Sequence, residues 1–153
     1  MRLALLVVLA VGASGCGTAP PPRQTSGPPP GKADQRVGPP RAWLETPTVR
    51  NWLAGGSSCW HYKDHGVCAD GGEPRCDQSF IPHFRVAPGE TVRVHLGFTP
   101  EEASLSGESG VQEPAELHGR ILRWQVAKGG VFSVFTRQRR GDASYSGCLD
   151  LTN

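Results

Sequence analysis

Cys59, His61, His65, Cys68 and Cys76 fall within eighteen residues, and His83 follows close behind. Thiolates and imidazoles at that density are the side chains that ligate zinc or copper. None of the intervals is a zinc spacing such as C-x2-C. A blue-copper centre needs a cysteine, two histidines and usually an axial methionine. Met1 is the only methionine, and no histidine follows Cys148. Two fates remain for the thiols. Either they oxidise to disulfides and leave His61, His65 and His83 on the surface, or segment 59–83 holds a metal. An oxidising compartment favours disulfides, so no cofactor is expected.

Catalytic spacings are missing. The chain has no G-x-S-x-G elbow, H-E-x-x-H, C-x-x-C or glycine-rich phosphate loop. Asp64 and His65 are adjacent, but neighbours on a turn rarely form a catalytic pair. Ser57, Ser104 and Ser144 read as turn residues. An enzyme would have to assemble its site from distant residues, as triads do; the expectation is a protein that is not an enzyme. Binding chemistry has more to work with. Four tryptophans could either form a ligand platform or fill a core. Trp60 beside Cys59 is expected to pack on a bridge, and Trp124 on the apolar side of its strand. Trp43 and Trp52 precede the first clear strand and are the better exposed candidates. The turn Lys63-Asp64-His65-Gly66, with His61, is one polar candidate surface. The glutamate-rich stretch from Glu101 to Glu116 is another.

The compartment is read from the N-terminus. Met1-Arg2 is a minimal positive start, Leu3 to Val11 is an almost unbroken apolar run, and small residues lead into Cys16. The run is far shorter than the roughly 20 residues a bilayer-spanning helix needs, and the pattern is that of a signal peptide. Ala13-Ser14-Gly15-Cys16 resembles a bacterial lipobox, with Ala13 where the commonest form has leucine. That resemblance implies cleavage after residue 15, acylation of the Cys16 thiol and, usually, of its new α-amino group. Two or more acyl chains hold a protein at a membrane essentially permanently. The implied location is extracytoplasmic, on a bacterial cell membrane or outer membrane, with the membrane itself as one partner.

Residues 16–40 form a lipidated linker. Prolines stand at 20–22, 28–30 and 39–40, with glycine, serine and threonine between them. Such composition buries no core and favours polyproline II, so the 24 residues after Cys16 could reach roughly 70 Å at about 3.1 Å each. A spacer is the expected role; a docking site for a proline-recognising partner is the alternative.

Residues 41–153 are the folded domain. They carry 12 Lys plus Arg against 13 Asp plus Glu. A nucleic-acid binder usually shows a basic excess or stripe, so no nucleic-acid partner is expected. Arg137, Arg139 and Arg140 are the one dense basic cluster, expected on a solvated turn, and the glutamates as solvated loop charges. Cys59, Cys68, Cys76 and Cys148 form an even set, which in an exported domain means two disulfides with three possible pairings.

Short strands must position these residues. Glycine and proline punctuate the domain about every ten residues, and long helical periodicity is absent. Cys59–Tyr62 and Val67–Ala69 read as strands around the Lys63–Gly66 turn. Phe80–Val86 is extended, and Ala87-Pro88-Gly89-Glu90 is a turn. Thr91–Phe98 alternates Val92, Val94, Leu96 and Phe98 against Thr91, Arg93, His95 and Gly97. Ala103–Ser106, Ile121–Val126, Val131–Arg137 and Tyr145–Leu151 follow, with Gln138–Ala143 as a loop. About seven short strands predict an all-β, immunoglobulin-like sandwich.

Gly56-Ser57-Ser58-Cys59-Trp60, Gly66-Val67-Cys68-Ala69-Asp70 and Val86-Ala87-Pro88-Gly89-Glu90 before a strand are similar to small membrane-anchored bacterial lipoproteins. The likeness covers about residues 49–100 and, loosely, the final hairpin. It implies a Cys59–Cys68 bridge and leaves Cys76 to Cys148; it brings no activity with it. The functional expectation is a non-catalytic binding or scaffolding module at the cell envelope, with an unknown envelope protein or ligand as partner.

Overall fold

A computed structural model describes residues 27–29 and 38–152. The expected leader 1–15, the expected acylation site Cys16 and most of the proline-rich segment lie outside the described residues. Two antiparallel sheets pack face to face. The five-stranded sheet is built from β1 (Ala42–Glu45), β2 (Arg50–Trp52), β6 (Thr91–Leu96), β9 (Glu116–His118) and β10 (Ile121–Gln125), in the order β2-β1-β6-β10-β9. The second sheet holds β3 (Ala54–His61), β4 (Gly66–Ala69), β7 (Glu102–Gly107), β8 (Gln112–Glu113), β11 (Gly130–Gln138) and β12 (Gly141–Leu151), in the order β4-β3-β12-β11-β7-β8. β5 (His83–Val86) joins it by pairing parallel with β12.

Period-two patterning makes the core. Val92, Val94 and Leu96 of β6 are buried, as are Leu122 and Trp124 of β10 and Leu44 of β1. They meet Trp60, Leu105, Phe132, Val134, Tyr145 and Leu149 of the facing sheet. Trp124 and Phe132 touch across the layers, with ring centroids 5.5 Å apart and a tilted geometry that aromatic pairs prefer. β12 is the central strand: β11 lines one side of it, and β3 then β5 line the other. Being covered on both edges and both faces, residues 145–149 are all buried, so apolar alternation fades there.

The fold is the expected disulfide-stapled β-sandwich, with twelve strands among the described residues instead of about seven. The additional ones include β2, β8 and β9, of two or three residues each, too short to show a period. Cys59 bridges Cys68 directly across β3 and β4. Cys76 bridges Cys148, tying the loop before β5 to the central strand.

Five local expectations are corrected. Ser57, Ser104 and Ser144 stand on β3, β7 and β12 and not in turns. Gln138–Ala143 is not a loop: the ladder runs to the Gln138–Gly141 pair and leaves Arg139 and Arg140 as a two-residue turn. Gly141 has φ of 136°, open to glycine, and a Cβ there would meet the Cys59 carbonyl oxygen. Of Phe80–Val86 only His83–Val86 is strand, because Gln78 to Ile81 closes a turn through the Ile81 amide and Gln78 carbonyl. Glu102, Glu113 and Glu116 stand on strands rather than in loops, and Arg137 sits on β11 beside Glu102. Trp60 does not pack on its neighbour's bridge. Adjacent strand residues face opposite sides, so Trp60 enters the core against Phe98, 5.1 Å away.

The folded unit also takes in residues that composition assigns to the linker. The Tyr145 hydroxyl donates to the Pro40 carbonyl at 2.6 Å, and the Gly38 amide and carbonyl both bond the Tyr62 hydroxyl. Burial pushes the Tyr145 hydroxyl well above its usual pKa of 10, so it stays a donor.

Candidate functional site

The histidine and cysteine residues of segment 59–83 do not converge. Each sulfur is committed to a bridge. His61 ends β3 on an exposed position, and His65 Nδ1 lies 2.7 Å from its neighbour Asp64 at the exposed turn that also carries Lys63. His83 is drawn to the opposite end of β12, where Nδ1 lies 3.1 Å from Asp150 and Nε2 2.9 Å from the Cys76 carbonyl. The bond to Asp150, with that to the Cys76 carbonyl, raises the His83 pKa above its ordinary value. Among the described residues no three His, Cys, Asp or Glu side chains gather as a metal site would.

A concavity lies elsewhere among the described residues. A groove of about 900 Å³ runs beside β9 and β10 and is lined by Pro88, Pro114, Glu113, Glu116, Arg123 and Val126, among others. Arg123 donates to the Glu116 carboxylate at 2.8 and 2.6 Å, and His118 stands 3.4 Å from it. Those partners, Arg123 foremost, hold the Glu116 carboxyl below its usual range. The pair is satisfied and exposed, which suits a surface contact better than proton transfer.

A more organised arrangement covers the outer face of the five-stranded sheet. Register places Trp52 opposite Trp43, Trp43 opposite His95, His95 opposite Ile121 and Ile121 opposite His118. One row thus crosses all five strands. The next row is Arg50, Glu45, Arg93, Arg123 and Glu116. Alternation turns both rows outward, since the intervening residues Leu44, Val94 and Leu122 are buried.

The aromatic row is packed and aligned. Trp43 stacks on His95 with centroids 3.7 Å apart and planes 2° from parallel. His95 Nε2 reaches Glu45 at 2.7 Å, which fixes the imidazole under the indole. The Arg41 guanidinium lies 4.6 Å from the centre of the Trp52 ring, within cation–π range. Among the described residues, the Trp52 indole Nε1 is the only buried side-chain nitrogen or oxygen without a hydrogen-bond partner. In the charged row Arg93 directly faces Arg123, a like-charge pair that costs stability. Glu116 offsets Arg123, while Arg93 is exposed and makes no ion pair among the described residues. Flat rings and an unpaired guanidinium are groups that receive a ligand; none is a nucleophile or a base paired with one.

Trp43 and Trp52 are therefore the sequence candidates that the fold brings together, half-buried on strands and not fully exposed. Lys63 and Asp64 stay apart from them. Arg41, Arg50, Arg93, His95 and Glu45 are the members that sequence reasoning passes over. The alternation of Thr91–Phe98 does put Arg93 and His95 on one side, but nothing local says that β1 pairs with β6. Comparison with protein-family models, curated proteins and solved structures finds no match for this chain.

Proposed function

We propose that the chain is a lipid-anchored, extracytoplasmic, non-catalytic module that binds a partner at the cell envelope through the outer face of its five-stranded sheet. The N-terminal sequence ending in Cys16 supports the anchor. The Trp52–Trp43–His95 row beside the charged row carries the binding reading. Aromatic and arginine side chains dominate binding surfaces because they bring large rigid area with a polar handle.

Site-specific photo-crosslinking in cells tests it. A photoreactive residue in place of Arg93 should give adducts with another envelope component, and one in place of the exposed Phe135 on the other sheet should not. Equal adducts from both positions, or none from Arg93, would overturn the assignment. Fatty-acid labelling of wild type against Cys16→Ser tests the anchor separately: label is expected in wild type only.

A further inference from the structure

One stretch of the chain outside the sandwich touches this face. The Gly27 carbonyl accepts a hydrogen bond from the Arg50 guanidinium, and Pro29, two residues on, is buried. Arg50 and Trp52 share one face of β2, two residues apart. Trp43 is the cross-strand neighbour of Trp52 and extends the row towards His95.

The chemistries are complementary. Gly27-Pro28-Pro29 has prolines without N–H groups, and its backbone bends at Gly27 and Pro28, with a Gly27 φ of 125° that closes no ladder of its own. Its carbonyls need donors from outside, and its pyrrolidine rings need flat apolar area. Surfaces that read such peptides supply aromatic side chains and N–H donors together. Here Arg50 already donates to one carbonyl, and the Trp52 ring lies on the same face.

We infer that the outer face of the five-stranded sheet is a recognition site for proline-rich peptide, occupied by the chain's own Gly27–Pro29 stretch. The inference rests on the binding reading above and names its ligand class. A tethered occupant acts at an effective concentration on the order of 1 mM. A site with an intrinsic Kd of about 100 µM would then appear about tenfold weaker to an added peptide.

The test uses the whole mature chain, residues 16–153 with Cys16→Ser, labelled so that its four indole N–H signals are resolved by NMR. In Pro28→Ser/Pro29→Ser the Trp43 and Trp52 signals should move while the core Trp60 and Trp124 signals hold. A synthetic peptide of residues 20–31 should return them, binding this variant about tenfold more tightly than wild type. Adding Trp52→Ala, which removes the ring, should weaken the peptide several-fold as followed at Trp43, with the core signals unchanged. Unmoved indoles in the serine variant, or equal peptide affinity for variant and wild type, would overturn the inference. So would a soluble peptidoglycan fragment that moves Trp43 and Trp52 where the peptide does not. In that last case crosslinks from position 93 would still uphold the face as a binding surface; with no crosslinks, both readings fall.

Discussion

The two disulfides should contribute unequally, and the structure says by how much. A bridge stabilises chiefly by removing loop-closure entropy from the unfolded chain, and the gain grows with the logarithm of the loop. Cys59–Cys68 closes a loop of sequence separation 9, and Cys76–Cys148 one of 72. The loop relation gives about 2.6 kcal/mol for the first and about 4.4 kcal/mol for the second at 25 °C. Their contexts widen the gap. Cys59 and Cys68 are already held opposite each other by the β3–β4 ladder. Cys76 has no ladder of its own and reaches a fully buried Cys148 on the central strand. Cys76→Ala/Cys148→Ala should therefore lose about 4 kcal/mol, roughly 2 kcal/mol more than Cys59→Ala/Cys68→Ala. Urea unfolding of the three proteins, followed by tryptophan fluorescence, gives the comparison. Equal losses, or a larger loss from the short-loop pair, would refute the entropic account for this fold.

His83 and Asp150 should give a pH signature. The folded-state pKa of His83 is raised, so the pair's contribution is full below about 6.5 and fades as pH rises through the folded value. In Asp150→Asn an NMR titration should find the His83 pKa nearer its ordinary value, with less loss of stability on raising pH; an unchanged midpoint would contradict the pairing. Trp60→Ala should cost about 3–5 kcal/mol as a core truncation, whereas Trp43→Ala on the outer face should cost less than half of that in the same urea assay. Gly141→Ala should destabilise by more than about 1 kcal/mol, because alanine disfavours the positive φ and its Cβ collides with the Cys59 carbonyl. A neutral result at Gly141 would mean the β11–β12 turn relaxes freely.

The layers of this fold are written in short-range pattern. Val92, Val94 and Leu96, then Leu122 and Trp124, announce strands because one side of each meets a core. The Pro88-Gly89 turn is equally local: Gly89 has φ of 80°, and the Glu90 amide bonds back to the Ala87 carbonyl. The binding face is not local. Trp43 is 52 residues from His95 in sequence and 3.7 Å from it in space. That contact depends on β1 entering the sheet next to β6, a choice of pairing that periodicity does not encode. The same limit explains the histidines. His61, His65 and His83 look clustered along the chain, but β5 crosses to the C-terminal half of β12 while β3 pairs with its N-terminal half. Nearness in sequence suggested a site that topology takes apart, and distance in sequence concealed one that topology assembles.

Where the tether is held decides how far it can reach. Composition alone treats residues 17–40 as one free spacer, yet Gly38 and Pro40 are bonded into the sandwich and Gly27 is bonded to Arg50. If Cys16 is held in a membrane as proposed, the chain advances eleven residues from it to Gly27 and 22 to Gly38. At the polyproline II rise of about 3.1 Å per residue those lengths span roughly 34 Å and 68 Å. Displacing the Gly27–Pro29 stretch therefore doubles the distance at which the domain can stand from its anchor. A ligand that competes for the Trp43–Trp52 face would do two things in one step: occupy the domain and extend it. A plain spacer beside an independent sandwich would give binding without that change in reach, so the Arg50–Gly27 contact is what couples the two.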